Sequence, residues 1–247
     1  MIKKIASVFV AIVVALGCFY GGFKFVEKKH HQLAAFASRT NLINKIIEKN
    51  KFKSYLEIGL NNPYANYAHV VALEKFSVDP YISNGLDFND DENISKWLPY
   101  CTHRMTSNEF FKQNDRTYDV IFVDGLLAQE QIDLDIKNSL NVLNDGGYII
   151  LRGCKPKTEE SQASPRKTLG LWFGDVWRSF YKAVQLHDPN LEIYLVDIDY
   201  GIGVIRKKGP VDYVVPEYVD ITWEEYNKIL PEIVEIVEWK DIDQKLQ

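Results

Sequence analysis

The residues best suited to chemistry sit where apolar runs break into polar sequence. In 54-SYLEIGLNNPYANY-67 a strand-like run carries one carboxylate, Glu57, and then reaches Gly59. A carboxylate in that position is costly to bury unpaired. It either braces the loop and accepts hydrogen bonds beside a cationic ligand, or closes a salt bridge within the fold. Asp79 ends the next apolar run, 22 residues further on. That spacing suits an acid that accepts hydrogen bonds from the two hydroxyls of a ribose. Pro80 behind it also favours a plain Asx turn.

The loop between these acids narrows the ligand. A dinucleotide needs several glycines so that its pyrophosphate can approach the backbone. Here only Gly59 is available, with Asn61, Asn62 and Pro63 beyond it. A nucleoside without phosphates asks less of a loop. S-adenosylmethionine keeps the adenosine and replaces phosphates with a cationic amino-acid arm, so one close backbone approach and a few oxygen acceptors suffice. Asn61 therefore joins Glu57, Gly59 and Asp79 as an expected cofactor contact. The missing glycines, and the lack of a suitably placed Tyr-x-x-x-Lys pair, argue against nicotinamide-dependent oxidoreduction.

Positioning these groups requires alternating strands and helices. Strands are expected at Ser54–Ile58, Lys75–Asp79, Cys101–Met105, Tyr118–Asp124, Tyr148–Arg152, Glu192–Val196 and Gly203–Arg206. Helical periodicity falls around Tyr67–Leu73, Asn108–Gln113, Gln129–Leu143 and Leu171–Leu186. The pattern implies an α/β fold with a doubly wound, mostly parallel seven-stranded sheet. Ligands of such sheets collect at the carboxyl ends of the strands. Standing there are Glu57 and Gly59, Asp79, Ser107 and Asn108, Asp124 and Gly125, then Arg152, Gly153 and Cys154.

Six blocks in order carry a resemblance: 55-YLEIGLNNP-63, 78-VDP-80, 105-MTSNEFF-111, 118-YDVIFVDGLLAQEQIDLDIKNSL-140, 146-GGYIILRGCKP-156 and 174-GDVWRSF-180. From Ser54 to Val204 the chain resembles the class I S-adenosylmethionine-dependent methyltransferases. Within them it is similar to a family with YLEIG, VDP, MTSDEFF, YDxIFIDGLH and HDCNP runs. The resemblance implies a Rossmann-like methyltransferase sheet, with the cofactor across the first two strand exits and the acceptor over the fourth and fifth. It gives Glu57, Gly59 and Asp79 cofactor contacts, places Ser107 and Asn108 at the adenine end, and sets Asp124 between methyl donor and acceptor. The implied acceptor is a hydroxyl on a small molecule, glycan or lipid-linked compound.

The departures fall on the acceptor side. Asn108 replaces the family's Asp, Leu127 its His, and Arg152-Gly153 its His-Asp. A general base for O-methylation must then come from Asp124, His103, Lys155 or Lys157. Arg152 pairs with Asp124 or clamps an anionic acceptor; a paired Asp124 is expected to have a lowered pKa. Asp124 and Arg152 are thus the catalytic candidates. The alternative is a degenerate member that binds cofactor or a partner without turnover.

The rest of the sequence sets boundaries. Of 247 residues, 46% are hydrophobic and 13% aromatic, ample for a core, and the net charge of -5 argues against nucleic acid as a partner. Three cysteines without paired spacing, and no carboxylate and histidine cluster, argue against a metal site. Ile5 to Phe23 holds 19 uncharged residues between lysines, which as a helix spans about 28 Å, enough for a bilayer. A single-pass N-terminal membrane anchor over 1–26 is expected, with a cleaved signal peptide as the alternative. Residues 27–53 read as a juxtamembrane helix, 54–210 as the catalytic-type domain and 211–247 as a helical extension. In that extension Thr222-x-x-Glu225 opens a helix expected to break near Pro231. The polar run from Lys155 to Thr168 reads as a lid over the acceptor site.

Overall fold

The computed structural model describes residues 38–81, 98–167, 169–215 and 221–247. The expected anchor, residues 1–26, lies outside them. Among the described residues no helix is long and apolar enough to cross a membrane.

Residues 38–247 make up one compact unit. Its strands are β1 Ser54–Ile58, β2 Glu74–Val78, β3 Tyr118–Val123, β4 Leu143–Arg152, β5 Leu191–Val196, β6 Ile202–Lys207 and β7 Glu235–Val237. They form a single seven-stranded sheet in the order β2-β1-β3-β4-β6-β5-β7. Pairing is parallel except on either side of β6, which runs against β4 and β5. The principal helices are α1 Arg39–Asn50, α2 Ser107–Gln113, α3 Gln129–Val142, α5 Val176–Gln185 and α6 Trp223–Ile233; α4 Glu159–Gln162 and α7 Ile242–Lys245 are single turns.

Side chains alternate between two cores, as a period of two requires. Leu56, Ile58, Ile121, Val123, Ile149 and Leu151 pack beneath α3, α5 and α6 with Ile132, Ile136, Trp177, Phe180 and Tyr226. Tyr55, Val120, Phe122, Tyr148 and Ile150 pack on the opposite face with Leu42, Ile43, Ile46 and Ile47 of α1 and Ile242 and Leu246 of the C-terminus. Both faces are covered, which is why the central strands read as continuous apolar runs.

The strand count agrees with expectation, but one member differs. Cys101–Met105 makes only an isolated parallel bridge, His103 with Val78. Side chains take over part of the ladder there: Ser77 N donates to Thr102 Oγ1, which donates to Ser77 O, and Ser77 Oγ donates to Tyr100 O. Short polar side chains compete in this way with strand pairing. The seventh strand comes instead from the tail. Helix α6 passes through Pro231 and stops at Ile233, after which the β-branched Val234, Ile236 and Val237 favour extended backbone beside β5. The helix expected around Tyr67–Leu73 is two short 3-10 turns, Pro63–Ala65 and Tyr67–His69. Cys101 and Cys154 are both free thiols.

Candidate functional site

The sheet order reverses at β1, whose neighbours are β2 and β3. Ligand crevices open at such a point. Here a cavity of about 650 Å³ opens over the carboxyl ends of β1, β2, β3 and β4, within the range of small-molecule sites. Its lining includes Glu57, Gly59, Asn61, Asp79, Ser107, Asp124 and Arg152. Seven of the eight expected site residues are therefore brought together.

Gly59 is required by packing as well as by any ligand. Its φ is +87°, and a Cβ there would lie 2.3 Å from the Asp124 carbonyl oxygen. The exits of β1 and β3 touch at this point, and only glycine permits it.

Glu57 is 2% exposed. Its Oε2 accepts from the Tyr55 hydroxyl and from Asn66 Nδ2 at 2.8 Å. Asn66 is oriented in turn by Thr40 Oγ1, which donates to its Oδ1 at 2.7 Å. Neither of the sequence alternatives describes this carboxyl fully: it is held by neutral donors on the cavity wall, with no ion pair among the described residues. Burial drives its pKa up to about 8, against the opposing pull of those two hydrogen bonds.

Asp79 ties two loops together. Its Oδ2 accepts from Asn61 N at 2.8 Å and its Oδ1 from Tyr81 N at 2.7 Å. The second contact is the Asx turn that Pro80 favours. Two amide donors leave acceptor capacity on a carboxylate, so the turn and a ribose contact are compatible. Burial raises its pKa despite the amides.

Ser107 lies in the first turn of α2, which Thr106 and Glu109 close with a reciprocal capping box. Asn108 is the exception among the expected residues. Its amide exchanges hydrogen bonds with Gln131, at 3.0 and 3.3 Å, and it does not line the cavity. The α2 backbone turns Asn108 toward α3, and Gln131 reaches the cavity instead.

At the other end, Arg152 Nη1 donates to Asp124 Oδ2 at 3.2 Å, and its guanidinium lies 5.1 Å from the Phe173 ring centre. Arg152 Nε is 3.8 Å from Asp199, which also pairs with Arg39. The pairing expected between Asp124 and Arg152 is present, but its expected consequence is reversed. Burial raises the Asp124 pKa, and the two arginines offset that only in part. For this carboxylate desolvation outweighs the attraction of the two guanidinium groups.

The other base candidates stand elsewhere. His103 packs on Phe110, with ring centres 4.9 Å apart, and lies beside Thr102 Oγ1. Lys155 pairs with Asp197, and Lys157 sits over Tyr200. Leu126, Leu127 and Trp172 complete the apolar wall near Arg152. The run after β4 is anchored: Trp172 Nε1 donates to Ala163 O and Phe173 N to Ser161 O. Among the described residues no three His, Cys, Asp or Glu side chains converge as a metal site would need.

Sequence reasoning missed Arg39, Asn66, Gln131 and Asp199. Tyr55 was within reach of it, since residues two apart in a strand share a face and Tyr55 therefore stands beside Glu57.

No protein-family model and no curated protein sequence matches this chain. Among solved structures it is similar to an O-methyltransferase from Bacillus cereus in complex with SAH, at 14% identity over 73% of this chain and 90% of that chain, with a TM-score of 0.47. It is also similar to the SAH-bound methyltransferase PaMTH1 from Podospora anserina, at 18% identity over 73% and 87% of the two chains, with a TM-score of 0.45. A third is the O-methyltransferase TomG from Streptomyces achromogenes in complex with SAM, at 12% identity over 68% and 78%, with a TM-score of 0.46.

Proposed function

We propose that this protein is an S-adenosylmethionine-dependent methyltransferase. Its acceptor would be a hydroxyl on a small molecule, glycan or lipid-linked compound, and Ile5 to Phe23 would tether it to a membrane. The observation that carries the reading is the cavity itself. Two buried carboxyl groups, Glu57 and Asp79, flank a loop with one glycine, and Asp124 faces the same space from β3.

These residues fit the cofactor's chemistry. The adenosine hydroxyls find an acceptor in Asp79, the cationic arm finds Glu57, and Ser107 and Gln131 offer polar contacts to the base. No phosphate-binding loop is needed. When bound, the cofactor supplies an electrophilic methyl group on a sulfonium. The chain's own residues then orient the acceptor and take its proton. Asp124 is the base candidate on the cavity wall, and its raised pKa moves it toward working pH. Arg152 fixes the Asp124 carboxyl on the cavity wall.

Two observations favour the second reading, cofactor binding without turnover. The acceptor wall holds Leu127 where the resembled family has His, and Asp124 is already paired with Arg152. Calorimetric titration of the full-length protein with S-adenosylmethionine tests the binding claim common to both readings. Saturable binding that Asp79→Ala weakens is expected; no heat at millimolar ligand rejects the cofactor. Methyl transfer over a panel of hydroxyl acceptors, with Asp124→Asn as control, then separates an enzyme from a binder.

A further inference from the structure

The cavity contains a cation that neither the sequence nor the proposed chemistry uses. Arg39, the first residue of α1, lines it together with Glu57 and Ala65. Its side chain is 17% exposed, and Nη1 is committed to Asp199. Its Nη2 has only a long 3.5 Å contact with Ala65 O, the outer limit of a hydrogen bond. That nitrogen retains donor capacity on a cavity wall.

The sheet order indicates what it faces. Asp79 stands at the exit of β2, the edge strand, and Arg152 at the exit of β4. Three inter-strand spacings separate these ends, roughly 14 Å. A nucleoside held by Asp79 therefore sends its other end toward Glu57, Asp124, Arg152 and Arg39. In S-adenosylmethionine that end is an α-amino acid, with an ammonium and a carboxylate on one carbon. Such a head group needs an oxygen acceptor and a cation side by side. Glu57 and Arg39 lie close enough to act on each other electrostatically.

We propose that Arg39 binds the carboxylate of the cofactor's amino-acid arm, and that Asp199 is the positioning residue holding the guanidinium in place. The inference rests on the cofactor reading above. The β5–β6 turn presents Asp199. Asp199 and Tyr200 both have left-handed backbone, φ +45° and +65°, ahead of Gly201 at +80°. Non-glycine residues pay for that conformation, and here it sets the Asp199 carboxylate between Arg39 and Arg152. The bare alternative is an ion pair that only staples α1 to the β5–β6 turn.

Two ligands that differ by one carboxylate distinguish these readings: S-adenosylmethionine and its decarboxylated form, titrated into the full-length protein. The parent should bind the first at least about tenfold more tightly, as a charge-assisted hydrogen bond implies. Arg39→Met should abolish that preference, weakening S-adenosylmethionine about tenfold and changing the decarboxylated ligand less than about twofold. Arg39→Lys should fall between them, because it keeps the charge but loses the planar fork. Asp199→Asn should weaken S-adenosylmethionine selectively, though less than Arg39→Met does. Equal affinity of the parent for both ligands overturns the proposal without any variant, as does an Arg39→Met or Arg39→Lys loss shared equally by both. Binding of neither ligand overturns the cofactor reading, and this inference with it.

Discussion

Glu57 concentrates the electrostatics of the site in one side chain. Tyr55 and Asn66 donate to it, Asp124 and Arg39 act on it from farther off, and burial places its pKa near about 8, against 4.5 for the ordinary group. Between those values the folded chain keeps a proton that the unfolded chain has released. The stability contributed by this group is therefore complete below pH 4.5 and disappears as pH rises through about 8. Glu57→Gln keeps the acceptor oxygen and removes the titration. Its melting temperature relative to the parent should climb between about pH 5 and about pH 9, and a pH-independent difference would show that Glu57 is already ionised. The residue was visible in the sequence as a carboxylate in an apolar run. Its protonation was not, because burial raises the pKa against the pull of Tyr55 and Asn66, and that burial exists only once the loop and α1 have docked.

At the scale of elements, the contact between α3 and α5 holds a buried ion pair. Lys182 Nζ donates to Asp133 Oδ2 at 2.7 Å, and the side chains are 5% and 6% exposed. Asp133 Oδ1 has no hydrogen-bond partner. Removing one member leaves the other charged and dry. Lys182→Met should cost roughly 3–5 kcal/mol in denaturant unfolding. Lys182→Met combined with Asp133→Leu should recover most of that loss; a double variant no more stable than Lys182→Met alone would mean that the pair stabilises the fold on balance. The apolar stripe of α3, Ile132, Ile136 and Leu140, could be read from its spacing. The burial of Asp133 and Asp135 could not, since helical periodicity assigns such residues to the solvent face. Packing against α5 turns Asp133 inward, and Asp135 meets Ser107 of α2.

For the whole molecule, the C-terminus completes the sheet. Strand β7 covers the edge of β5, and Val237, Ile242 and Leu246 are buried against Tyr194 and α1. Ending the chain after Val234 should expose that edge and forfeit roughly 5 kcal/mol of apolar burial, comparable with the stability of a typical domain. Circular dichroism melting should show a large drop in midpoint or loss of the transition. An unchanged midpoint would make the tail dispensable. An appended amphipathic helix was the sequence expectation for this region. The structure gives it a role in the sheet because a free β5 edge accepts the β-branched run after Pro231.

Periodicity and punctuation in the sequence were enough to set six of the seven strands and most of the residues at their exits, because these depend on contacts within a few positions of each other; Cys101–Met105 and the tail strand β7 escaped them. The same signals place Glu57, Gly59, Asp79 and Asp124 on one edge of the sheet. What the tertiary structure alone decided was each group's partner and charge. Arg39 came from the helix read as juxtamembrane, Asp199 from a hairpin turn 160 residues away, and Asn108 turned from the cavity to Gln131. Distances between such groups arise when separate elements close on one another, and desolvation, which sets the pKa values of Glu57 and Asp124, does not exist until they do.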